Sequence, residues 1–229
     1  MRLCLGEHTT RVAPALIAAG LLFGLATASA QTSSTNNQSL TDENLLVAVP
    51  DGFKIDFQQR NGDMLISEAV PVAQSVRDWT AMVTVQIFYD LKVTPGQLKA
   101  RIDKEGPAAC ADESNPVAQG DENGYAYLVW LQSCPFNKAT GKPEITWFKA
   151  IAGNDSTYVV QLAFKAWPSK EQITSWMQYL GSVSVCDSRV PERACPRRSG
   201  SASATRPKVS VPVTAAAAAV SAAAAAAHK

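Results

Sequence analysis

Histidine is nearly absent from this chain of 229 residues. The two histidines, His8 and His228, lie close to the two ends, so the central part has no imidazole to act as a general base or to ligate a metal. This excludes Ser-His-Asp and Cys-His arrangements there, and it removes the commonest protein ligand of zinc, copper and iron. The sequence also lacks the G-x-G-x-x-G, P-loop and G-x-S-x-G patterns. We therefore expect no metal, no nucleotide and no other cofactor.

Long apolar runs are lacking as well. The run from Val12 to Ala26 is shorter than the ~20 residues that a bilayer span requires, and it follows Arg2 and Arg11. Small residues, Ala28-Ser29-Ala30, come next. This order is typical of a cleavable secretory signal peptide. We predict that residues 1–30 are removed, and that the mature protein is exported to the periplasm or the cell exterior without a transmembrane span.

The last part of the chain has neither aromatic residues nor acids. From Arg197 onward it consists mostly of Ser, Ala, Pro, Val and basic residues, and Ala215 to Ala227 is nearly all alanine. Such a segment has too little apolar bulk to offset the entropy of ordering. We predict that residues 188–229 are a disulfide-closed end followed by a low-complexity tail. Residues 31–43 are predicted to be a flexible leader, which leaves one domain over 44–187.

Charge divides at the start of the tail. Residues 31–196 contain 14 Lys and Arg against 19 Asp and Glu, whereas the tail carries five basic residues and no acid. A net negative domain disfavours nucleic-acid binding, because that affinity depends on Lys and Arg neutralising phosphates. The basic tail could make weak contact with anionic surfaces, and the alternative is a solvated, linker-like end.

Cysteine is scarce, but its number is even once the signal peptide is removed. The four that remain are Cys110, Cys134, Cys186 and Cys195. In an exported chain this indicates two disulfides, for which three pairings are possible. We expect the pairing of sequence neighbours, Cys110 with Cys134 and Cys186 with Cys195, because it closes the shortest loops. No C-x-x-C occurs, so a redox-active dithiol is not expected.

Alternation of apolar and polar residues predicts strands through much of the domain. Leu45 to Val49 and Phe53 to Phe57 flank Pro50-Asp51-Gly52, which predicts a hairpin. Asn61-Gly62-Asp63 is the strongest turn signal, and a strand from Met64 to Val70 follows it. Four further strands are predicted, of which the last three should form an antiparallel meander: 79–89, 125–133, 144–151 and 157–165.

Two capping-box patterns predict two helices. One begins at Thr94-Pro95-Gly96-Gln97 and should end near Gly106-Pro107, and the other begins at Ser169-Lys170-Glu171-Gln172. Residues 107–124, rich in Pro, Gly and acids, are predicted to be a loop between the first helix and the meander. The element order predicts an α+β fold, an antiparallel sheet with two covering helices in the manner of an α/β/α sandwich.

This order, together with VPDGF at 49–53, RDWTAMV at 77–83 and SWMQYL at 175–180, resembles the Mog1/PsbP-like group of α/β/α sandwiches. The resemblance covers about residues 44–186. Members of that group are mostly binding and assembly factors, so the resemblance implies a non-enzymatic accessory role. No position matches a family site motif, and no functional residue is carried over.

Carboxylates are the remaining candidates for acid-base chemistry. Asp112 with Glu113 and Asp121 with Glu122 lie in the predicted loop, and a pair ~5–10 Å apart could hydrolyse a glycoside. Adjacent acids in a loop are more often a solvated face, and their spacing does not reproduce an EF-hand calcium loop. Trp167, between a strand and a helix cap, is predicted to be exposed and to bind a partner, because aromatic residues dominate binding hot spots. The four acids are the other candidate partner-binding residues.

The sequence therefore predicts a non-enzymatic binding or assembly-accessory protein of a bacterial envelope. It should hold a protein partner with a sheet face or with residues 107–124. Two alternatives stay open. One is an envelope hydrolase that depends on the carboxylates, and the other is a module with a cavity between sheet and helix that takes a small apolar molecule.

Overall fold

The computed structural model of the chain describes residues 40–105, 114–137 and 141–196. The predicted signal peptide, most of the predicted leader and the Ala-rich tail lie outside these residues, as do Cys110, Asp112 and Glu113. Within the described residues no helix is both long enough and apolar enough to cross a membrane.

Strands dominate the described part of the chain. They are β1 (Glu43–Leu46), β2 (Phe53–Asn61), β3 (Met64–Pro71), β4 (Ala81–Tyr89), β5 (Ser114–Glu122), β6 (Tyr125–Asn137), β7 (Lys142–Ala152), β8 (Ser156–Phe164) and β9 (Ser184–Asp187). Two α-helices interrupt them, α1 (Pro95–Glu105) between β4 and β5 and α2 (Lys170–Ser182) between β8 and β9. The predicted α+β fold, with an antiparallel sheet and two helices, is confirmed.

Seven strands form one antiparallel sheet in the order β2-β3-β4-β8-β7-β6-β5, and β1 pairs with β9 in a separate ribbon. The helices pack on opposite faces of the large sheet. Leu98 of α1 packs with the stacked rings of Trp130 and Phe148, whereas Trp176 of α2 packs in the cluster that contains Trp147. We call these the α1 face and the α2 face. The β1-β9 ribbon joins the cluster on the α2 face.

Both predicted capping boxes are present. The Thr94 hydroxyl accepts from the Gln97 amide at 3.2 Å while the Gln97 side chain accepts from the Thr94 amide at 2.9 Å. Ser169 and Gln172 make the same reciprocal pair at the start of α2. These bonds use backbone donors that a helix N-terminus otherwise leaves unpaired. The predicted turn at Asn61-Gly62-Asp63 also connects β2 to β3.

The predicted hairpin between residues 45–49 and 53–57 is wrong. The turn itself forms, because the Phe53 amide donates to the Pro50 carbonyl at 3.0 Å. However, β1 pairs with β9, with Leu45 opposite Val185. Long-range packing decides the pairing here, since Leu45 and Val185 both belong to the cluster under α2 and a hairpin would remove Leu45 from it.

The predicted loop at 107–124 is also wrong over its second half, where β5 forms an edge strand paired with β6. Pro116 has no amide hydrogen to donate, but an edge strand tolerates proline, and the pairing register shifts between Pro116 and Ala118. A tight turn at Asn123 and Gly124, both with positive φ, leads into β6. Proline and glycine thus mark a bulged edge strand and its turn rather than a loop.

One predicted disulfide is confirmed, between Cys186 in β9 and Cys195. It ties the end of the described chain to the β1-β9 ribbon. Cys134 is disulfide-bonded too, and its partner lies outside the described residues. The pairing of Cys134 with Cys110 therefore stays a prediction.

A buried ammonium group connects the far edge of the sheet to the end of α2. Lys149 projects from β7 on the α2 face, and its Nζ lies 2.6 Å from Glu122 of β5. The same group donates to the carbonyl oxygens of Leu180 at 3.1 Å and Val183 at 2.6 Å at the C-terminal end of α2, where the Leu180 carbonyl also accepts from the Val183 amide at 3.2 Å. Burial lowers the pKa of Lys149, and Glu122 opposes that effect. All three hydrogens of the ammonium are bonded to protein acceptors.

Replacing Lys149 by methionine should lower the free energy of unfolding by about 3–5 kcal/mol, because it removes the ammonium donor from a partly buried carboxylate and from two carbonyls at the end of α2. Urea denaturation monitored by circular dichroism measures the change. Lys170→Met, at an exposed position of α2, is the matched control and should cost less than about 0.5 kcal/mol. Equal losses for the two variants would contradict the role given to Lys149.

Two carboxylates hold the β1-β9 ribbon against the turn between β7 and β8, Glu43 directly and Asp187 through Arg189, which also donates to Asp155 at 2.6 Å. Glu43 accepts from the amides of Asn154 at 2.6 Å and Asp155 at 3.1 Å, and from the Tyr158 hydroxyl at 3.0 Å. Asp187, buried at the end of β9, accepts two hydrogen bonds from the Arg189 guanidinium at 2.7 and 2.9 Å. These bonds hold the pKa of Asp187 below its ordinary value.

Replacing Asp187 by asparagine should destabilise the protein at pH 7 and progressively less in acid. The folded-state pKa is lowered, so the stabilisation is complete above the unfolded-state value of about 3.9 and is lost as the pH falls below it. Thermal unfolding of both proteins between pH 7 and pH 2 measures the difference. A difference that stays constant over this range would refute the electrostatic contribution.

Candidate functional site

An apolar cleft lies on the α2 face, over the outer strands β2, β3 and β4. Its floor is made by apolar side chains that alternate along β3 and β4, and its roof by residues 45–50, which connect β1 to β2. Tyr179 of α2 forms part of the wall. The enclosed volume is about 220 Å³.

The floor of the cleft continues the hydrophobic core. Val83, Val85 and Ile87 lie on the face of β4 that the alternation predicts to be core. Val83, directly opposite Leu162 of β8, is fully packed. Val85 and Ile87 remain half-buried. Along β4 the apolar stripe therefore changes from fully buried at Val83 to half-buried at Val85 and Ile87, and all three side chains line the cleft.

The roof is held by Tyr179. Its hydroxyl donates to the Ala48 carbonyl at 2.8 Å, and burial raises its pKa to about 12, so it stays protonated and a donor at neutral pH. Trp176 supports the Tyr179 ring edge-on at 5.6 Å and the ring of Phe53, beyond the roof, at 5.5 Å. The roof is thus attached to α2 by one hydrogen bond and a short series of aromatic contacts.

The cleft is suited to an apolar guest with one polar group. Its lining contains no Asp, Glu, Lys or Arg, and apart from the Tyr179 hydroxyl its polar side chains are Gln58 and Ser67, which are directly opposite each other on β2 and β3. Val49 and Ile55 at its margin are 45% and 49% exposed. Apolar concave surfaces with few polar groups are the usual form of small-molecule sites.

Of the carboxylates predicted from sequence, the two that the structure describes do not converge. Asp121 and Glu122 are consecutive residues of β5, so their side chains point to opposite faces of the sheet. Asp121 is exposed, while Glu122 is bonded to Lys149. The interpretation of both acids as a solvated face is therefore wrong for Glu122. In the part of the chain that the structure describes, no three Asp, Glu, His or Cys side chains come together as a metal site.

Trp167 lies after the end of β8 and is 40% exposed. Its ring contacts the buried Trp147 edge-on at 6.5 Å, so one side of the indole is supported and the other faces solvent. It does not line the cleft. A partner-binding role for Trp167 and for Asp121 stays a prediction.

The cleft residues were not singled out from the sequence. Their alternation gives the same signal as a packed core, and nothing local reveals that α2 covers half of the face and stops. The related expectation is a cavity between sheet and helix, whereas the cleft is covered mainly by residues 45–50 and α2 contributes one side chain, Tyr179.

Comparisons with known proteins found similar solved structures. No family model and no curated protein matches the chain. Among solved structures, the Ran-binding protein Mog1p of Saccharomyces cerevisiae matches at 10% identity and a TM-score of 0.36, covering 62% of this chain and 85% of that one. LpqN, involved in cell envelope biogenesis of Mycobacterium tuberculosis, matches at 10% identity and a TM-score of 0.32, covering 63% and 84%. Both have Mog1/PsbP-like folds, the group that the sequence resembles.

Removing the Tyr179 hydroxyl should loosen the roof of the cleft. Tyr179→Phe keeps the ring contacts and deletes one hydrogen bond, so opening of the roof should become easier by about 1 kcal/mol, or roughly fivefold. NMR relaxation dispersion of the backbone nitrogens of residues 47–49 measures this conformational exchange. Tyr89→Phe is the control, since the Tyr89 hydroxyl makes no hydrogen bond within the described residues. Unchanged exchange in Tyr179→Phe would mean that the hydroxyl does not hold the roof.

Proposed function

We propose that this chain is an exported, non-enzymatic binding protein of a bacterial envelope, and that its ligand is a small apolar molecule held in the cleft on the α2 face. The observation that carries the proposal is the cleft itself, a cavity of about 220 Å³ with an apolar floor, a separate roof and two adjacent polar side chains. The predicted protein-partner role is compatible with it, but the cleft favours a small ligand.

The size of the cavity limits the ligand. Pockets for drug-sized molecules are ~300–1,000 Å³, so this one suits a smaller molecule or one end of a longer chain. Each buried methylene contributes about 0.8 kcal/mol, and part of the sum is lost in ordering the ligand. The polar group of the ligand would lie at Gln58 and Ser67, where both side chains meet at one side of the cavity.

Two features support the proposal beyond shape. The titratable side chain that lines the cleft is Tyr179, and its hydroxyl already donates to Ala48, so the lining offers no free acid or base. Disulfides persist in oxidising compartments, and both Cys134 and the Cys186–Cys195 pair are oxidised. The disulfides and the predicted signal peptide together support export.

The test uses two neighbouring glutamines that lie on opposite faces of one edge strand. Gln58 lines the cleft, and Gln59, equally exposed, points to the α1 face. N-Phenyl-1-naphthylamine, an uncharged apolar fluorophore, should bind the mature protein with an increase in emission. Gln58→Trp, which fills the cleft, should weaken binding by about tenfold or more, and Gln59→Trp should not.

The variant Trp167→Ala tests whether the fluorophore binds at the exposed tryptophan instead of in the cleft. It should leave the affinity for the fluorophore unchanged. Loss of binding in Trp167→Ala, or equal losses in the two glutamine variants, would contradict the cleft as the binding site. Failure of the wild-type protein to bind the fluorophore or any competing aliphatic alcohol would overturn the proposal.

A further inference from the structure

The opposite face of the same outer strands carries a polar patch around Glu68. Strand pairing places Phe57, Glu68, Thr84 and Gln161 side by side in one row across β2, β3, β4 and β8. The row continues into Phe148, which α1 covers, so all of these side chains lie on the α1 face.

Glu68 is an uncompensated charge. Its carboxylate is half-buried, makes no hydrogen bond or ion pair with any other described residue, and has its pKa raised by burial. A base at the same edge, Lys54, lies 3.1 Å from Asp56, which neutralises it. An ionised carboxylate that has lost part of its hydration and has no partner is energetically unfavourable. A bound cation would compensate its negative charge.

Two further acceptors follow Glu68 in the same row, Thr84 on the next strand and Gln161 on the strand after it. Thr84, beside Glu68, is 8% exposed, and its hydroxyl has no partner in the described part of the chain. Gln161 donates through Nε2 to Gln86 at 2.8 Å, which leaves the Gln161 carbonyl oxygen without a partner among the described side chains. On the other side of Glu68 the Phe57 ring is 36% exposed.

We propose that this patch is a second binding site, specific for the ammonium group of a small primary alkylamine. The three N–H groups donate to the Glu68 carboxylate, the Thr84 hydroxyl and the Gln161 carbonyl. The alkyl chain lies against Phe57 and the neighbouring Ile66, where the aromatic face also attracts the positive charge. A divalent metal is a poor alternative, because calcium and magnesium need six or more oxygen ligands and the patch has one carboxylate.

The second site is independent of the cleft. Residues 67 and 69 line the cleft on the α2 face, and Glu68 between them points to the α1 face. A variant at Glu68 therefore tests the amine site without changing the lining of the apolar cavity. If the experiment disproves binding at one site, the proposal for the other site still stands.

The experiment is a titration of the mature protein with 1,5-diaminopentane, followed by carbon-detected NMR of the glutamate carboxyl groups. The Glu68 signal should shift saturably at millimolar amine, the range typical of a single charge-assisted contact. Glu68→Gln should weaken binding by about tenfold or more. Glu192→Gln, which removes an exposed charge elsewhere, should bind as the wild type does.

Two further ligands test whether the site requires an ammonium group and which kind of molecule supplies it. Pentan-1-ol, which has the chain without the charge, should not shift Glu68, and an equal shift would overturn the ammonium assignment. N-Acetyl-lysine methylamide should bind if the site accepts the ammonium of a side chain, and binding tighter than the diamine would assign the site to a protein lysine and overturn the free-amine ligand. Equal diamine affinity in Glu68→Gln and wild type would refute the site.

A stability measurement excludes a folding artefact. Because Glu68 has no partner among the described residues, Glu68→Gln should unfold in urea at the same concentration as the wild type or at a higher one. A lower midpoint would show that the carboxylate stabilises the fold, and would contradict its being an unpaired ligand group.

Discussion

The ammonium group of Lys149 is the interaction on which the arrangement of this fold depends. It is buried, and it satisfies at once the carboxylate of an edge strand and two carbonyls at the end of α2. Such a group can be removed from water only if every hydrogen finds an acceptor. The position of α2 on the sheet is therefore tied to strands β5 and β7, and Tyr179, on the last turns of α2, places the roof of the cleft.

The cleft follows from a mismatch between the width of the sheet and the layer that covers it. Seven antiparallel strands are wider than one helix and a two-stranded ribbon, so on the α2 face the packed core ends within β3, where Ala69 is buried and Leu65 and Ser67 are half-buried. Strand β2 beyond it is exposed at nearly every position. Residues 45–50 cross this margin and cover part of the cleft without filling it. On the α1 face the corresponding margin holds Glu68 and the neighbouring acceptor Thr84. The two proposed sites therefore share strands β2, β3 and β4.

Much of the fold could be predicted because its signals are local. The reciprocal bonds of Thr94 with Gln97 and of Ser169 with Gln172, and the turn at Gly62, are each contained within four residues. The pairing of β1 with β9 could not be predicted, because Leu45 and Val185 are distant in sequence and nothing in either segment specifies the other. Strand β5 was missed for a different reason, since Pro116 and Gly120 are compatible with a bulged edge strand but are more typical of a loop.

The candidate sites also combine residues that could be recognised from the sequence with contacts that could not. Glu122 could be recognised as an acid, but its bond to Lys149 arises only when the β5-β6-β7 order brings the two together. The residues of the cleft carry an ordinary core pattern, and their role depends on where α2 ends. Glu68 is the one charged residue of a mostly apolar strand, MLISEAVP, and such an acid is visible in sequence, yet only the pairing with Thr84 and Phe57 gives it neighbours.

The central claim is that the apolar cavity on the α2 face is a binding site, and methyl NMR tests it most directly. Protein with labelled Leu, Val and Ile methyl groups is titrated with N-phenyl-1-naphthylamine. The expected result is a set of saturable shifts in Leu65, Val85 and Ile87, with Leu98 and Leu128 of the α1 face unchanged. Shifts centred on the α1 face, or no saturable shift in the cleft methyl groups, would contradict the account.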